Sequence, residues 1–289
     1  MKYKRIGLTV KSGLDYKNEA VEKIVGILMG IGAEILVDAK RIEGVDSASV
    51  FKPYKTEDDI DLLVVIGGDG TILRAVREHE AFSTPILSVN RGTVGFLAET
   101  ELEEAETLLP SLLNGDGVLE ERRILTVTAM RGKEQLHSGF ALNEAVIAQG
   151  TIARLVDLRA SINGEPLTTF HADGLIISTP TGSTAYSLAA GGPIVHPMLP
   201  ATILTPINPH SFSQKPVVIS SDQEVLVEVV TKSNKFQDTE VVLTLDGQVY
   251  IPLQNGDTIT VCGCDRTVQF LRRKQDTFFG TLQQKLKWG

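Results

Sequence analysis

The sequence predicts an α/β N-terminal domain with a parallel, Rossmann-like sheet, followed by an all-β, sandwich-like C-terminal domain. Three observations carry this reading. Short runs of Val, Ile and Leu alternate with helical stretches over the first third of the chain, the pattern of a parallel sheet covered on both faces. Helical periodicity then almost disappears from Leu119 to Leu271. In its place, β-rich runs are punctuated by turn residues. The expected boundaries are 1–118 for the α/β domain, completed by 272–289, and 119–271 for the β-rich domain.

The elements follow in order. Arg5 to Val10 reads as a buried strand. Asn18 to Ile31 carries Ala20, Val21, Ile24, Val25, Ile27, Leu28 and Ile31 at helical spacing. Gly32 stands where a helix C-terminus favours glycine. Ala33 to Val37, Asp61 to Ile66 and Ile86 to Val89 are further strands, with a helix from Thr71 to Glu78 between the last two. Leu102 to Leu113 reads as a helix that Pro110 kinks or restarts. The β-rich runs are Ile124 to Met130, Phe140 to Ala148, Arg154 to Ile162, Val217 to Ser220, Val225 to Val230 and Val241 to Leu245. Asn163-Gly164 between two of them signals a hairpin. Asp276 to Trp288 reads as a short amphipathic helix returning to the first domain.

Composition bounds the function. A chain of 289 residues, 42% hydrophobic and 22% charged, is an ordinary globular protein long enough for two domains. A net charge of −8 argues against nucleic acid as a main partner, because such binding neutralises phosphates with Lys and Arg. Any phosphate-bearing ligand must then be held locally, by backbone N–H groups, a divalent metal or a few placed arginines. The two cysteines, Cys262 and Cys264, have no second pair with which to build a zinc site. They read as plain thiols in a reducing compartment. Met1 to Arg5 lacks the apolar core of a signal peptide. No stretch approaches the ~20 apolar residues of a membrane span. A cytoplasmic protein without a membrane partner is expected.

The run Val64-Val65-Ile66-Gly67-Gly68-Asp69-Gly70-Thr71 holds the first functional signal. An apolar strand ends in glycines that let backbone approach an anion, and the N–H groups opening the next helix favour negative charge there. Asp69 places a carboxylate inside this cradle. A loop that only bound phosphate would avoid one, so the arrangement points to phosphoryl transfer, with Asp69 as base or metal partner. The alternative is a plain turn with Asp69 as helix N-cap. Gly67, Gly68, Gly70 and Thr71 form the candidate phosphate loop. Arg74 faces either the same phosphates or solvent. A second block, His171 to Pro193, is rich in glycine and hydroxyls around Thr179-Pro-Thr-Gly-Ser-Thr184. Hydroxyls and free N–H groups there can hold sugar hydroxyls and phosphates, and the Tyr186 ring can lie against a planar base.

With these blocks the chain resembles the NAD kinases, which share a GGDG-type loop with diacylglycerol, sphingosine and 6-phosphofructo kinases. Asn143-Glu144, Asp173 to Tyr186 and Asp246-Gly247-Gln248 match the family's NE, DG…TPTGSTAY and DGQ elements. Asn90 to Leu97 fits its N-x-G-x-L-G-F pattern, with Val94 in place of Leu. The resemblance implies transfer of a phosphoryl group from ATP or polyphosphate to the 2′-hydroxyl of the adenosine ribose of NAD, giving NADP. Asp69 would be the base, and Mg²⁺ would neutralise the donor phosphates. The implied NAD-binding set is Asp69, Gly70, Phe96, Asn143, Glu144, Arg154, His171, Asp173, Thr184, Ala185, Tyr186, Ser187, Ala189 and Gln248. Asn143 and Glu144 would take ribose hydroxyls or the adenine amine, and Asp173 would face the nicotinamide side. A homodimer or homotetramer is implied, whose NAD site borrows residues from a neighbouring subunit. A lipid kinase would not need the Thr179 to Tyr186 block. An idle NAD sensor would not need an intact Asp69 loop. A dehydrogenase should carry Gly-x-Gly-x-x-Gly after the first strand, where Lys11-Ser-Gly-Leu-Asp15 stands instead.

Overall fold

A computed structural model describes residues 1–10, 17–41, 50–78, 83–90, 95–98, 100–150, 155–230, 241–274 and 278–288. Arg154 and part of the Asn90 to Leu97 pattern lie outside the described residues. The chain forms two compact units, Met1–Glu121 with Val268–Gly289, and Arg122–Thr267.

The first unit is α/β. Its elements are β1 (Arg5–Val10), α1 (Lys17–Gly30), β2 (Glu34–Val37), β3 (Lys52–Pro53), β4 (Leu62–Ile66), α2 (Asp69–Glu78), β5 (Ile86–Asn90), β6 (Thr100–Glu101) and α3 (Ala105–Ser111). The strands pair in parallel in the order β3-β2-β1-β4-β5, with β6 beside β5. Every residue of β4 is buried, as expected for a strand covered on both faces. Strand order reverses between β1 and β4. Doubly wound sheets bind ligands at that switch point, outside the carboxyl ends of the strands. Gly67 to Asp69 follow β4 directly.

The helix α1 buries Ala20, Val21, Ile24, Val25 and Leu28 against Ile6, Leu8 and Val64 of the sheet. It ends in a Schellman motif: the Ala33 N–H bonds the Leu28 carbonyl at 3.0 Å and the Gly32 N–H bonds the Met29 carbonyl at 3.0 Å. Gly32 has φ +76°, which glycine adopts without a Cβ penalty. Pro110 sits inside α3, and the chain continues into a wider π-type turn, Leu112–Asp116. The expected helix from Leu102 therefore starts three residues later, because Thr100–Glu101 pairs with β5 first.

The second unit is built from antiparallel strand pairs. It holds most of β7 (Val118–Arg131), then β8 (Glu134–Ala141), β9 (Glu144–Gln149), β10 (Val156–Ile162), β11 (Glu165–Ala172), β12 (Gly174–Ser178), the short helix α4 (Tyr186–Ala189), β13 (Ala201–Ile207), β14 (Val217–Ser220), β15 (Val225–Val229), β16 (Val241–Leu245), β17 (Val249–Leu253) and most of β18 (Thr258–Arg272). One sheet runs β11-β10-β15-β18, with β7 and β8 paired beside β18. The other runs β14-β13-β12-β9-β16-β17. A single apolar core takes Val127, Leu158, Phe170 and Val227 from the first sheet and Ile147, Ile177, Leu204 and Leu243 from the second. This is the sandwich that the alternating runs imply. Asn163 and Gly164 make a two-residue hairpin turn with φ of 49° and 80°. The expected run from Phe140 to Ala148 is two strands, broken at Leu142-Asn143.

The end of β18 belongs to the first unit, where Phe270 pairs in parallel with Ile86. After it comes α5 (Phe278–Leu286), which buries Leu282. Cys262 and Cys264 are free thiols. Among the described residues no helix is long and apolar enough to cross a membrane.

Candidate active site

In the first unit the sharp turn after β4 depends on glycine. Gly67 has φ +153°, and a Cβ there would stand 2.4 Å from the Thr71 hydroxyl. The N–H groups of Thr71 and Ile72 bond the Gly68 carbonyl at 2.8 and 3.3 Å, so the helix starts at once. Asp69 opens that helix, yet its side chain is not spent on capping. Its Oδ2 accepts the Phe96 N–H at 3.1 Å, and its Oδ1 accepts the N–H groups of Leu97 and Ala98, both at 3.3 Å. A Cβ on Gly95 would lie 2.0 Å from Oδ1. Gly95 is thus the residue that lets backbone wrap the carboxylate, and sequence reasoning did not select it. Arg74 is half-buried and donates from Nη2 to the Val10 carbonyl at 3.1 Å, at the carboxyl end of β1. Desolvation, with Arg41 nearby, lowers its pKa below the ordinary arginine value. Gly67, Asp69 and Arg74 therefore stand at the ends of β4 and β1, the two strands of the switch point.

The second unit builds another cluster. Asp246, in the β16–β17 turn, accepts the N–H of Leu142 on Oδ2 at 2.9 Å. Its Oδ1 takes the N–H groups of Asn143 and Glu144 at 2.8 and 3.0 Å. The resemblance singles out Gln248 in this element, but Asp246 is the residue that ties the β8–β9 break. The Asn143 carbonyl in turn accepts the Thr179 N–H at 2.9 Å. A Cβ on Gly182 would stand 2.2 Å from that same carbonyl. Asn143 and Glu144 are both buried. Glu144 is 7% exposed, and its Oε2 has no hydrogen-bond partner among the described residues. Burial above all, then the charge of Asp246, raises its pKa to about 8, against the favourable N–H of Tyr186.

The hydroxyl-rich loop differs from its sequence reading. Thr179 Oγ1 donates to the Leu142 carbonyl at 2.6 Å and accepts the Gly182 N–H at 3.0 Å. Ser183 Oγ donates to Pro180 O at 2.6 Å, and Thr184 Oγ1 to Thr181 O at 3.2 Å. Ser187 is fully buried and bonds Thr205 at 2.9 Å. Thr181 accepts from buried Arg122 at 3.3 Å. These hydroxyls build the loop rather than stand free, because a buried loop must satisfy its own polar groups. Tyr186, 46% exposed, and Ala189 face outward, while Thr184, Ala185 and Gln248 are half-buried.

Asp173 and His171 fall elsewhere. Asp173 precedes β12 while Thr179 follows it, a separation of about 20 Å along an extended strand. Asp173 accepts from Asn208 Nδ2 at 2.9 Å. His171 Nδ1 lies 2.6 Å from Asp157, and its ring meets His210 edge-on at 5.5 Å.

A carboxylate-bearing glycine loop at the switch point of a doubly wound sheet is an arrangement suited to phosphoryl transfer, and the family models that match the chain are those of a phosphotransferase. The particular family follows from comparison. Residues 16–117 match the family of the ATP-NAD kinase N-terminal domain, and residues 142–273 that of the ATP-NAD kinase C-terminal domain. The NAD kinase of Geotalea daltonii is 40% identical over 268 residues, 93% of each chain. That of Syntrophotalea carbinolica is 37% identical over 287 residues, 99% of each. The fold is similar to that of yeast NADH kinase complexed with NADH, with a TM-score of 0.85, 26% identity and coverage of 100% of this chain and 89% of that one. It is also similar to an NAD kinase from Archaeoglobus fulgidus in complex with ATP, with a TM-score of 0.76, 25% identity and 98% coverage of each. The chain belongs to the NAD kinase family.

Proposed function

We propose that the chain transfers the terminal phosphoryl group of ATP to the 2′-hydroxyl of the adenosine ribose of NAD, with Asp69 as general base. The observation that carries this is the presentation of Asp69. A carboxylate has about four lone-pair positions, and three backbone N–H groups occupy three of them. One position remains for a substrate hydroxyl. That hydroxyl is a far weaker acid than a carboxylic acid, so its proton moves late, as the bond to phosphorus forms. Gly67, Gly68, Gly70 and Thr71 bring the backbone close to the donor phosphates at the N-terminal end of α2, whose dipole favours negative charge, and Arg74 adds positive charge.

Among the described residues no three His, Cys, Asp or Glu side chains converge as a metal site. Mg²⁺ would be held mainly by the donor phosphates, as is common for that ion, where it would neutralise charge that an acidic protein does not. The buried, unpartnered Oε2 of Glu144 suits a hydroxyl or amine donor of NAD, beside Asn143. Tyr186 offers its exposed ring to a base, with Thr184, Ala185 and Ala189 along the same segment. Ser187 shapes that segment from behind. Gly70 and Phe96 flank the base, and Arg154 and Gln248 complete the set. His171 and Asp173, at the far end of β12, serve the nicotinamide side of a neighbouring subunit's NAD in a homodimer or homotetramer. The setting is cytoplasmic.

The test is a coupled assay with NAD, Mg²⁺ and ATP, in which an NADP-specific dehydrogenase reports product. NADP formation that vanishes without Mg²⁺ and in Asp69→Asn supports the assignment. NAD binding without NADP formation would favour an idle sensor instead. Substituting polyphosphate or NADH then defines specificity, and light scattering gives the oligomer.

A further inference from the structure

The segment wrapped around Asp69 is held on its other side by two donors that the reaction as described does not use. Arg272, at the end of β18, is only 8% exposed. Its Nη2 donates to the Phe96 carbonyl at 3.3 Å. Its guanidinium carbon lies 5.6 Å from the Phe270 ring centroid, which supports the buried cation. Ser88, on β5 and almost fully buried, donates from Oγ to the Leu97 carbonyl at 3.3 Å.

These carbonyls belong to the peptide units whose N–H groups meet the carboxylate. The Phe96 carbonyl shares a peptide with the Leu97 N–H, and the Leu97 carbonyl shares one with the Ala98 N–H. Both N–H groups donate to Asp69 Oδ1. Each peptide is therefore polarised at its oxygen by a side-chain donor and passes that polarisation to the same carboxylate oxygen. Hydrogen bonds in such chains strengthen one another in a low-dielectric interior, and a charged donor is stronger than a neutral one.

We propose that Arg272 and Ser88 are positioning residues for the general base: through the Phe96–Leu97 and Leu97–Ala98 peptides they hold Oδ1 of Asp69 and so set the orientation of the carboxylate, whose Oδ2 keeps the open position for the substrate hydroxyl, with Arg272 the stronger of the two. Neither touches substrate. The inference rests on the reading of Asp69 as base.

Steady-state kinetics of Arg272→Met, Arg272→Lys and Ser88→Ala test it, each alone and in an Asp69→Asn background. For Arg272→Met, kcat for NAD should fall on the order of tenfold, the rate equivalent of one hydrogen bond from a charged donor. KM for NAD should hold within about twofold, because the lost interaction orients the base and does not touch substrate. Arg272→Lys, which keeps the charge, should recover part of the loss, and Ser88→Ala should lose less than Arg272→Met. In Asp69→Asn none of the three should slow the residual rate further, because there is no carboxylate left to aim. An unchanged kcat in both Arg272→Met and Ser88→Ala would overturn the proposal. So would an equal fold-loss with and without Asp69. Should Arg272→Met fail to fold, Arg272→Lys and Ser88→Ala carry the same test. An Asp69→Asn enzyme as fast as wild type would instead sink the base assignment, whereas fast Arg272→Met and Ser88→Ala enzymes beside a slow Asp69→Asn sink only the positioning role.

Discussion

Asp69 and Glu144 are both carboxylates at the heart of their clusters, and their surroundings set them different tasks. Asp69 meets three N–H donors. Glu144 is buried with an empty acceptor and Asp246 nearby. Asp69→Asn should lower kcat by on the order of 10²–10⁴-fold, the usual contribution of a placed base. The amide also turns a donor toward backbone N–H groups that need an acceptor, so a small loss of melting temperature should accompany the loss of rate. Glu144 makes stability depend on pH. Its pKa is about 8 in the folded protein against 4.5 unperturbed. Between those values the native state holds a proton that the unfolded chain has released. Stability then falls as pH rises through this window, by about 1.4 kcal/mol per pH unit from this group alone. Glu144→Gln should remove that slope. Without ligand, it should melt above wild type at about pH 8 and level with it near about pH 5. An unchanged slope by calorimetry would show that another group titrates.

At the level of elements, each cluster is a β-turn or strand end tied by one aspartate to a distant backbone break. Asp246 holds three N–H groups of residues 142–144. Asp246→Ala should leave them short of an acceptor and cost on the order of 3 kcal/mol, read as a shift of the denaturant midpoint. Gly182 packs directly against backbone. A Cβ on Gly182 would stand within 2.8 Å of Asn143 O, C and Cα, which a rotamer change does not relieve. Gly182→Ala should therefore destabilise by about 3 kcal/mol. Gly95→Ala differs, because its clash is with the Asp69 side chain. That variant should turn over as slowly as Asp69→Asn, and it should melt below wild type because displacing the carboxylate takes the acceptor from the Phe96, Leu97 and Ala98 N–H groups. A normal rate in Gly95→Ala would show that the carboxylate can leave the 96–98 backbone without loss.

Over the whole molecule the two units differ in continuity. Residues 122–267 are one uninterrupted segment with their own apolar core, while the first unit needs Val268–Gly289 to return to it. Expressed alone, 122–267 should melt cooperatively in circular dichroism. Residues 1–121 alone should not, because Leu271, a core residue of that unit, and the strand beside β5 would be missing. Ligand should report on the intact protein: NAD at about 100 times its Kd should add about 2.7 kcal/mol to the native state, seen as a rise in melting temperature.

Local physics was legible in the sequence. The α1 periodicity, the glycine at its end, the Asn163-Gly164 hairpin and the glycine turn after β4 all follow from backbone sterics and hydrophobic spacing within a few residues. The α/β and β-sandwich classes follow from how those local signals alternate. The NAD kinase family was legible too, through motifs whose residue types the chemistry demands. Tertiary structure alone decided the partners. Asp69 meets Phe96 to Ala98, Asp246 meets Leu142 to Glu144 more than a hundred residues away, and Arg272 meets Phe96 across 176 residues. It also turned the hydroxyls of Thr179, Ser183, Thr184 and Ser187 inward. Propensity and periodicity act over one turn or one hairpin. Which carboxylate finds which backbone donor depends on how strands far apart in sequence come to lie side by side, because buried polar groups must be paired wherever packing places them.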